Sequence, residues 1–147
     1  WVTPTGGETY SGGIPLEVSC DEDCDYINFW WRAEGESFSS VSKRYHYIYE
    51  DGTTFEWGLD TMNALMADGS NYLMEDGVYY LYTAGKDLAG NWARTPEIMI
   101  NVNNTPDNKN ECKKDGWMTF NNPTFKNQGD CVSYVQSNPK AKGNKTK

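Results

Sequence analysis

Histidine is almost missing from this sequence: His46 is the only one in 147 residues. That excludes a site built on several imidazoles, and any Ser-His-Asp triad would have to run through this one ring. Basic residues are scarce over residues 1–104, where 5 Lys and Arg stand against 17 Asp and Glu, which argues against nucleic acid as a partner. No apolar run approaches the roughly 18 residues of a spanning helix, so this stretch is not a membrane protein by itself. The Gly-x-Ser-x-Gly elbow, the His-Glu-x-x-His helix, the P-loop and the dinucleotide fingerprint are also absent. Carboxylates are plentiful enough for a glycosidase pair, yet no active site is read from them, and no cofactor is expected. The chain begins at Trp1 without Met, which leaves room for signal or anchor segments ahead of it.

Aromatic residues are abundant, with 10 Tyr, 6 Trp and 5 Phe, a bias that favours strands. Strand patterning runs through the first hundred residues. Ile14 to Cys20 alternates apolar and polar, Tyr26 to Arg32 sets Ile27, Phe29 and Trp31 on one face, and Thr53 to Leu59 does the same for Phe55, Trp57 and Leu59. Arg44 to Glu50, Val78 to Lys86 and Thr95 to Val102 continue the pattern, with a lead-in strand near Glu8–Ser11. About seven short strands in this length predict an all-β sandwich. Asp60 to Met74 breaks the rhythm, and its Met62-Asn63-Ala64-Leu65-Met66 run predicts one or two helical turns. Charge changes sign along the chain, from −12 over residues 1–104 to +4 over 105–147, which sum to the net −8. The change straddles Asn103-Asn104-Thr105-Pro106 and marks a boundary. The expected organisation is a sandwich over 1–104, a small unit over 105–138 and a basic flexible tail over 139–147.

Asp76-Gly77-Val78-Tyr79-Tyr80-Leu81-Tyr82-Thr83-Ala84-Gly85-Lys86-Asp87-Leu88-Ala89-Gly90-Asn91 resembles the penultimate strand and final hairpin of bacterial immunoglobulin-like domains. The resemblance covers most of residues 8–103. It implies an immunoglobulin-like β-sandwich of a secreted or cell-surface protein, non-catalytic, acting as spacer, adhesion or docking module. In it Tyr79 faces inward, Asp87 bonds the turn backbone, Gly90 and Asn91 tolerate positive φ, and Gly85 makes room for a bulky neighbour such as Trp31. Residues 111–135, from Cys112-Lys113-Lys114-Asp115-Gly116-Trp117 to Gly129-Asp130-Cys131-Val132-Ser133-Tyr134-Val135, are similar to a short C-terminal segment of predicted secreted bacterial proteins, which implies kinship and export. Asn127 to Ser137 predicts a short helix, with Trp117, Phe120 and Phe125 as a miniature core.

Four cysteines allow three pairings. Keeping each bridge within its own unit selects Cys20–Cys24 and Cys112–Cys131, and the exported-fold resemblance makes disulfides, and an extracellular location, the expectation. The best ligand candidates are Tyr45, Tyr47 and Tyr49, a stripe at period 2, with Trp30. Flat aromatics of this kind would suit a carbohydrate-binding module, the alternative function. Asp21, Asp23 and Asp25 form a fragment of a calcium loop without the distal Glu, and a solvated turn is the expectation. Possible partners are a cell-envelope polymer, a polysaccharide or another surface protein.

Overall fold

A computed structural model of the chain describes residues 2–36, 43–48, 52–65, 70–120 and 122–137. Strands dominate. The longest, β2 (Gly13–Ala33), follows the short β1 (Thr9–Tyr10) and precedes β3 (Lys43–Ile48) and β4 (Gly52–Asp60). Two short strands, β5 (Ala64–Leu65) and β6 (Asn71–Tyr72), pair with each other, and β7 (Gly77–Asp87), β8 (Trp92–Arg94) and β9 (Ile98–Val102) follow. A 3-10 turn (Gly116–Thr119) and one helix, α1 (Gln128–Ser137), complete the order.

β2 holds two of the expected strands in one ladder, and its two halves have different neighbours. Residues 13–19 pair antiparallel with β4; residues 26–33 pair with β7 on one side, and within them residues 27–31 pair with β3 on the other. Between the halves the register shifts, and the cysteines that span the shift, Cys20 and Cys24, are bonded to each other. Strand side chains alternate between faces, so a shift is the means by which buried positions change parity. Ile14, Leu16 and Val18 are buried before it, and Ile27, Phe29 and Trp31 after it. Both halves thereby contribute to one core with Leu59, Tyr79, Leu81, Ile100 and Val102. Each fully buried aliphatic or aromatic side chain there contributes about 1.5–3 kcal/mol of transfer free energy. This β-rich arrangement is compatible with a β-sandwich.

Several sequence expectations change in detail. Among the described residues of 60–74 there is no helix: a turn leads into β5 and β6. The strand expected over 95–102 is β9 alone, and Trp92–Arg94 form a separate strand on β7. Gly85 does make room for a neighbour, but the neighbour is Ile27. A Cβ at residue 85 would stand 2.6 Å from Ile27 Cδ1, whereas Trp31 lies across from Leu81, four residues back along β7.

Past β9, Asn104 is buried at 2% exposure and fastened on every side. Its Oδ1 accepts bonds from the Thr61 hydroxyl (2.8 Å) and the Gly12 N–H (3.2 Å), and its Nδ2 donates to the Met74 carbonyl (2.9 Å). Its own N–H donates to Asp76 (2.6 Å), whose carboxylate also takes the Thr105 hydroxyl. Beyond it a second, smaller core forms from Cys112, Phe120, Cys131 and Val135, with Trp117, Phe125 and Tyr134 packed against it. Cys112 and Cys131 are bonded to each other. Gly116 has no room for a side chain there, because a Cβ would run into the Glu111 carbonyl. The basic end, 138–147, lies outside the described residues.

Candidate functional site

The face of β2 and β7 turned away from the core carries a ladder of rings and cations that the sequence reading did not assemble. Registered pairs place Trp30 beside Tyr82, Arg32 beside Tyr80 and, across β8, Ala84 beside Arg94. The rings of Trp30 and Tyr82 are parallel within 4° at 5.7 Å. The Arg94 guanidinium lies 4.7 Å from the centroid of the same Tyr82 ring, and Arg32 lies 4.2 Å from that of Tyr80. Glu97 ties the two arginines together, at 3.0 Å from Arg32 and 3.6 Å from Arg94. Such cation–ring contacts contribute about 0.5–1 kcal/mol each at half-exposed sites. Burial pushes the Tyr82 phenol above its ordinary value, with Arg94 pulling it down and Glu97 pushing it up.

At the far end of this face, Tyr26 meets Trp92 edge to face at 5.1 Å, and Lys86 bridges to Asp25 at 3.3 Å. Trp92 itself is 59% exposed. The turn between β7 and β8 is held by Asp87, whose Oδ1 accepts the Asn91 N–H and whose Oδ2 accepts the Asn91 side-chain amide, both at 2.8 Å. The Asn91 amide group, more than any other cause, lowers the Asp87 carboxyl below its usual range. Gly90 takes φ +93° in that turn, a conformation that favours glycine. Leu88, at 61% exposure, projects from the same hairpin.

On the core side of this end, a cleft of about 400 Å³ opens between the Cys20–Cys24 bridge and β8. Val18, Ile27, Gly85, Ala93 and Thr95 are among the residues that line it.

The sequence candidates fall unevenly on this geometry. Trp30 belongs to the ladder: it is half-buried, and its indole Nε1 has no hydrogen-bond partner among the described residues. For Tyr45 and Tyr47 the backbone alone is described. Tyr47 is registered across from Asn28, and the register jumps from His46 to Arg44 opposite Phe29 and Trp30, which skips Tyr45 and interrupts the expected period of 2. Tyr49 lies outside the described residues. Asp25 faces Lys86, while Asp21 and Asp23 are placed by backbone only; no group of three or more His, Cys, Asp or Glu fit to hold a metal occurs among the described residues. Tyr79 is buried and donates its hydroxyl to the Glu75 carbonyl at 3.0 Å. The missed residues Tyr26, Arg32, Tyr80 and Tyr82 occupy the alternate positions of β2 and β7, whose inward positions the sequence shows, whereas Arg94 lies on β8, a strand the sequence did not suggest. Period 2 on both faces was the available signal.

No helix among the described residues is long and apolar enough to cross a membrane. No family model, no curated protein and no solved structure matches this chain.

Proposed function

We propose that the chain is a non-catalytic, extracellular immunoglobulin-like module of a larger bacterial surface or secreted protein, which acts as a spacer, adhesion or docking region. The observation that carries this reading is the strand pairing. β1 runs parallel to β9, β9 pairs with β7, and β7 pairs with the second half of β2, which pairs in turn with β3. The first half of β2 pairs instead with β4 and, through Thr3–Glu17, with the start of the chain. Two strand sets packed on one core support a sandwich, of which the immunoglobulin-like form is the one proposed. Both cysteine pairs being bonded supports an oxidising compartment. Fold alone does not give function, so the role rests on contacts made by surfaces rather than on a reaction.

The test is direct. Protein recovered from the outside of its native cell and analysed by mass spectrometry without reductant is expected to show both bridges, and four free thiols would overturn the compartment. Immobilised protein is expected to retain cell-envelope material without consuming any substrate; measurable turnover would overturn the module reading.

The alternative, a carbohydrate-binding module, draws on Trp30 on the outward face. Tyr82 has one ring face toward Trp30 and Arg94 over its ring, so a sugar would have to stack on Trp30 from the β3 side. Fluorescence quenching by soluble glycans that disappears in Trp30→Ala would favour this reading.

A further inference from the structure

We propose that the Cys20–Cys24 bridge is a thiol-exchange site. A low-molecular-weight thiol enters the cleft beside β8, opens this bond while Cys112–Cys131 stays closed, and thereby releases the junction between the two halves of β2. Such exchange goes beyond the module reading and does not depend on it.

Access separates the two bridges. Cys112 and Cys131 are both fully buried in the smaller core, where a thiol reaches them only if that core opens. Cys20 and Cys24 instead both line the cleft of about 400 Å³, which has room for a small molecule. Cys20 is half-buried whereas Cys24 is 8% exposed, so Cys20 presents the sulfur that an entering thiol meets first. Exchange rates follow access and the choice of sulfur attacked.

The small thiol is the only reductant required. Its thiolate attacks Cys20 Sγ and a new sulfur–sulfur bond forms between them. The electron pair of the Cys20–Cys24 bond leaves on Cys24 Sγ, which takes up the proton that the thiol gave to water. A second thiolate then attacks the small molecule's sulfur in the mixed disulfide and displaces Cys20, which is protonated in turn. Two thiols are oxidised to one disulfide, and one cystine is reduced to two cysteines. Where no second thiol arrives, Cys24, whose Cα stands 6.4 Å from that of Cys20, attacks Cys20 Sγ, expels the small thiol and restores the bridge.

Position makes the bond a latch. Among the described pairs, Cys24 is the one residue of β2 registered with both β4 and β7, across from Gly52 on the first and Asp87 on the second. The shift on the β4 side lies between Ser19 and Cys24, so the bridge fixes the offset of one half of β2 against the other. Opening it frees that offset and loosens the nearest pairs, Ser19 with Thr54 and Val18 with Phe55. The bridge closes a separation of only 4 residues, against 19 for Cys112–Cys131, so loop entropy makes its loss the smaller one and the fold survives it.

The probe is 2-mercaptoethanol, added to the whole chain under native conditions, with free thiols alkylated by iodoacetamide at successive times and located by peptide mass spectrometry. Cys20 and Cys24 are expected to be labelled at least ten-fold faster than Cys112 and Cys131. Ala93→Phe, which adds a ring to the cleft lining, is expected to slow labelling of the first pair at least five-fold and to leave the second pair unchanged. Circular dichroism checks the fold of that variant; should it unfold, the comparison of the two bridges within the parent protein decides. In protein reduced at Cys20–Cys24 alone, hydrogen exchange is expected to speed up at residues 17–19 and 54–56, while β9 and α1 keep their protection. Equal labelling rates, or faster opening of Cys112–Cys131, would overturn the exchange site. Unchanged labelling of a folded Ala93→Phe would overturn the cleft as its entry. Unchanged hydrogen exchange across β2 and β4, or lost protection throughout the chain, would overturn the latch.

Discussion

A single carboxamide, that of Asn104, joins three segments that are remote in sequence: the Gly12 turn, Thr61 and the Met74 carbonyl. Thr61 is fully buried beside it, so none of these groups can turn to water when the carboxamide is removed. Asn104→Ala is therefore expected to cost about 3 kcal/mol, the penalty of stranding buried donors and acceptors, and to lower the urea midpoint with an unchanged slope. Near the start of the chain, Glu8 plays a similar part in the open. Its carboxylate accepts the Thr5 hydroxyl (2.5 Å), the Thr5 N–H (2.9 Å) and the Gly6 N–H (2.7 Å). Those bonds, the Thr5 hydroxyl first, hold its pKa at about 2 instead of 4.5. A lowered folded pKa means stability that is complete above 4.5 and is lost as the pH falls toward 2. Thr5→Val is expected to raise the Glu8 pKa, read by NMR titration, and to flatten the acid side of the stability profile.

At the scale of elements, the bridge between Cys112 and Cys131 closes a 19-residue separation around a core of very few side chains. Replacing both cysteines by serine is expected to cost about 3 kcal/mol by loop entropy. Hydrogen exchange is the measurement: amides of α1 lose protection in the variant while those of β7 keep theirs. Equal loss in both would mean that the two cores unfold as one. Elements of this kind were largely legible from spacing. The helix over 128–137 and the inward positions of β2 and β7 follow from period, because burial of one face dictates it. What spacing could not reveal was continuity. The chain from Ile14 to Trp31 reads as two strands with an acidic turn between them, and only the register shift across Cys20–Cys24 shows how one ladder serves both. The helical turns expected from Met62-Asn63-Ala64-Leu65-Met66 gave way to β5 because Ala64 is buried in the main core, where tertiary contacts outweigh local preference. The outward ladder escaped for a different reason. Trp30, Tyr82 and Arg94 are far apart in sequence, and pairing alone brings them into one stack.

Across the whole molecule, Thr9 runs beside Asn101 and Tyr10 beside Val102, so the chain enters and leaves its larger core along neighbouring strands of the same direction. Tension drawn between the two sides of that core drags these strands lengthwise past each other. The bonds Gly7–Met99, Asn101–Glu8 and Asn103–Tyr10 then carry the load simultaneously, in shear, rather than opening in succession like a zip. The Asn101 N–H points at Glu8 and not at β7, so Asn101→Pro removes one of these bonds and leaves the β9–β7 ladder its partner groups. Pulled in an atomic-force microscope, that variant is expected to rupture at a lower force than the parent. A tether in a cell envelope would draw its grip from this small patch of parallel backbone, not from the size of its apolar interior.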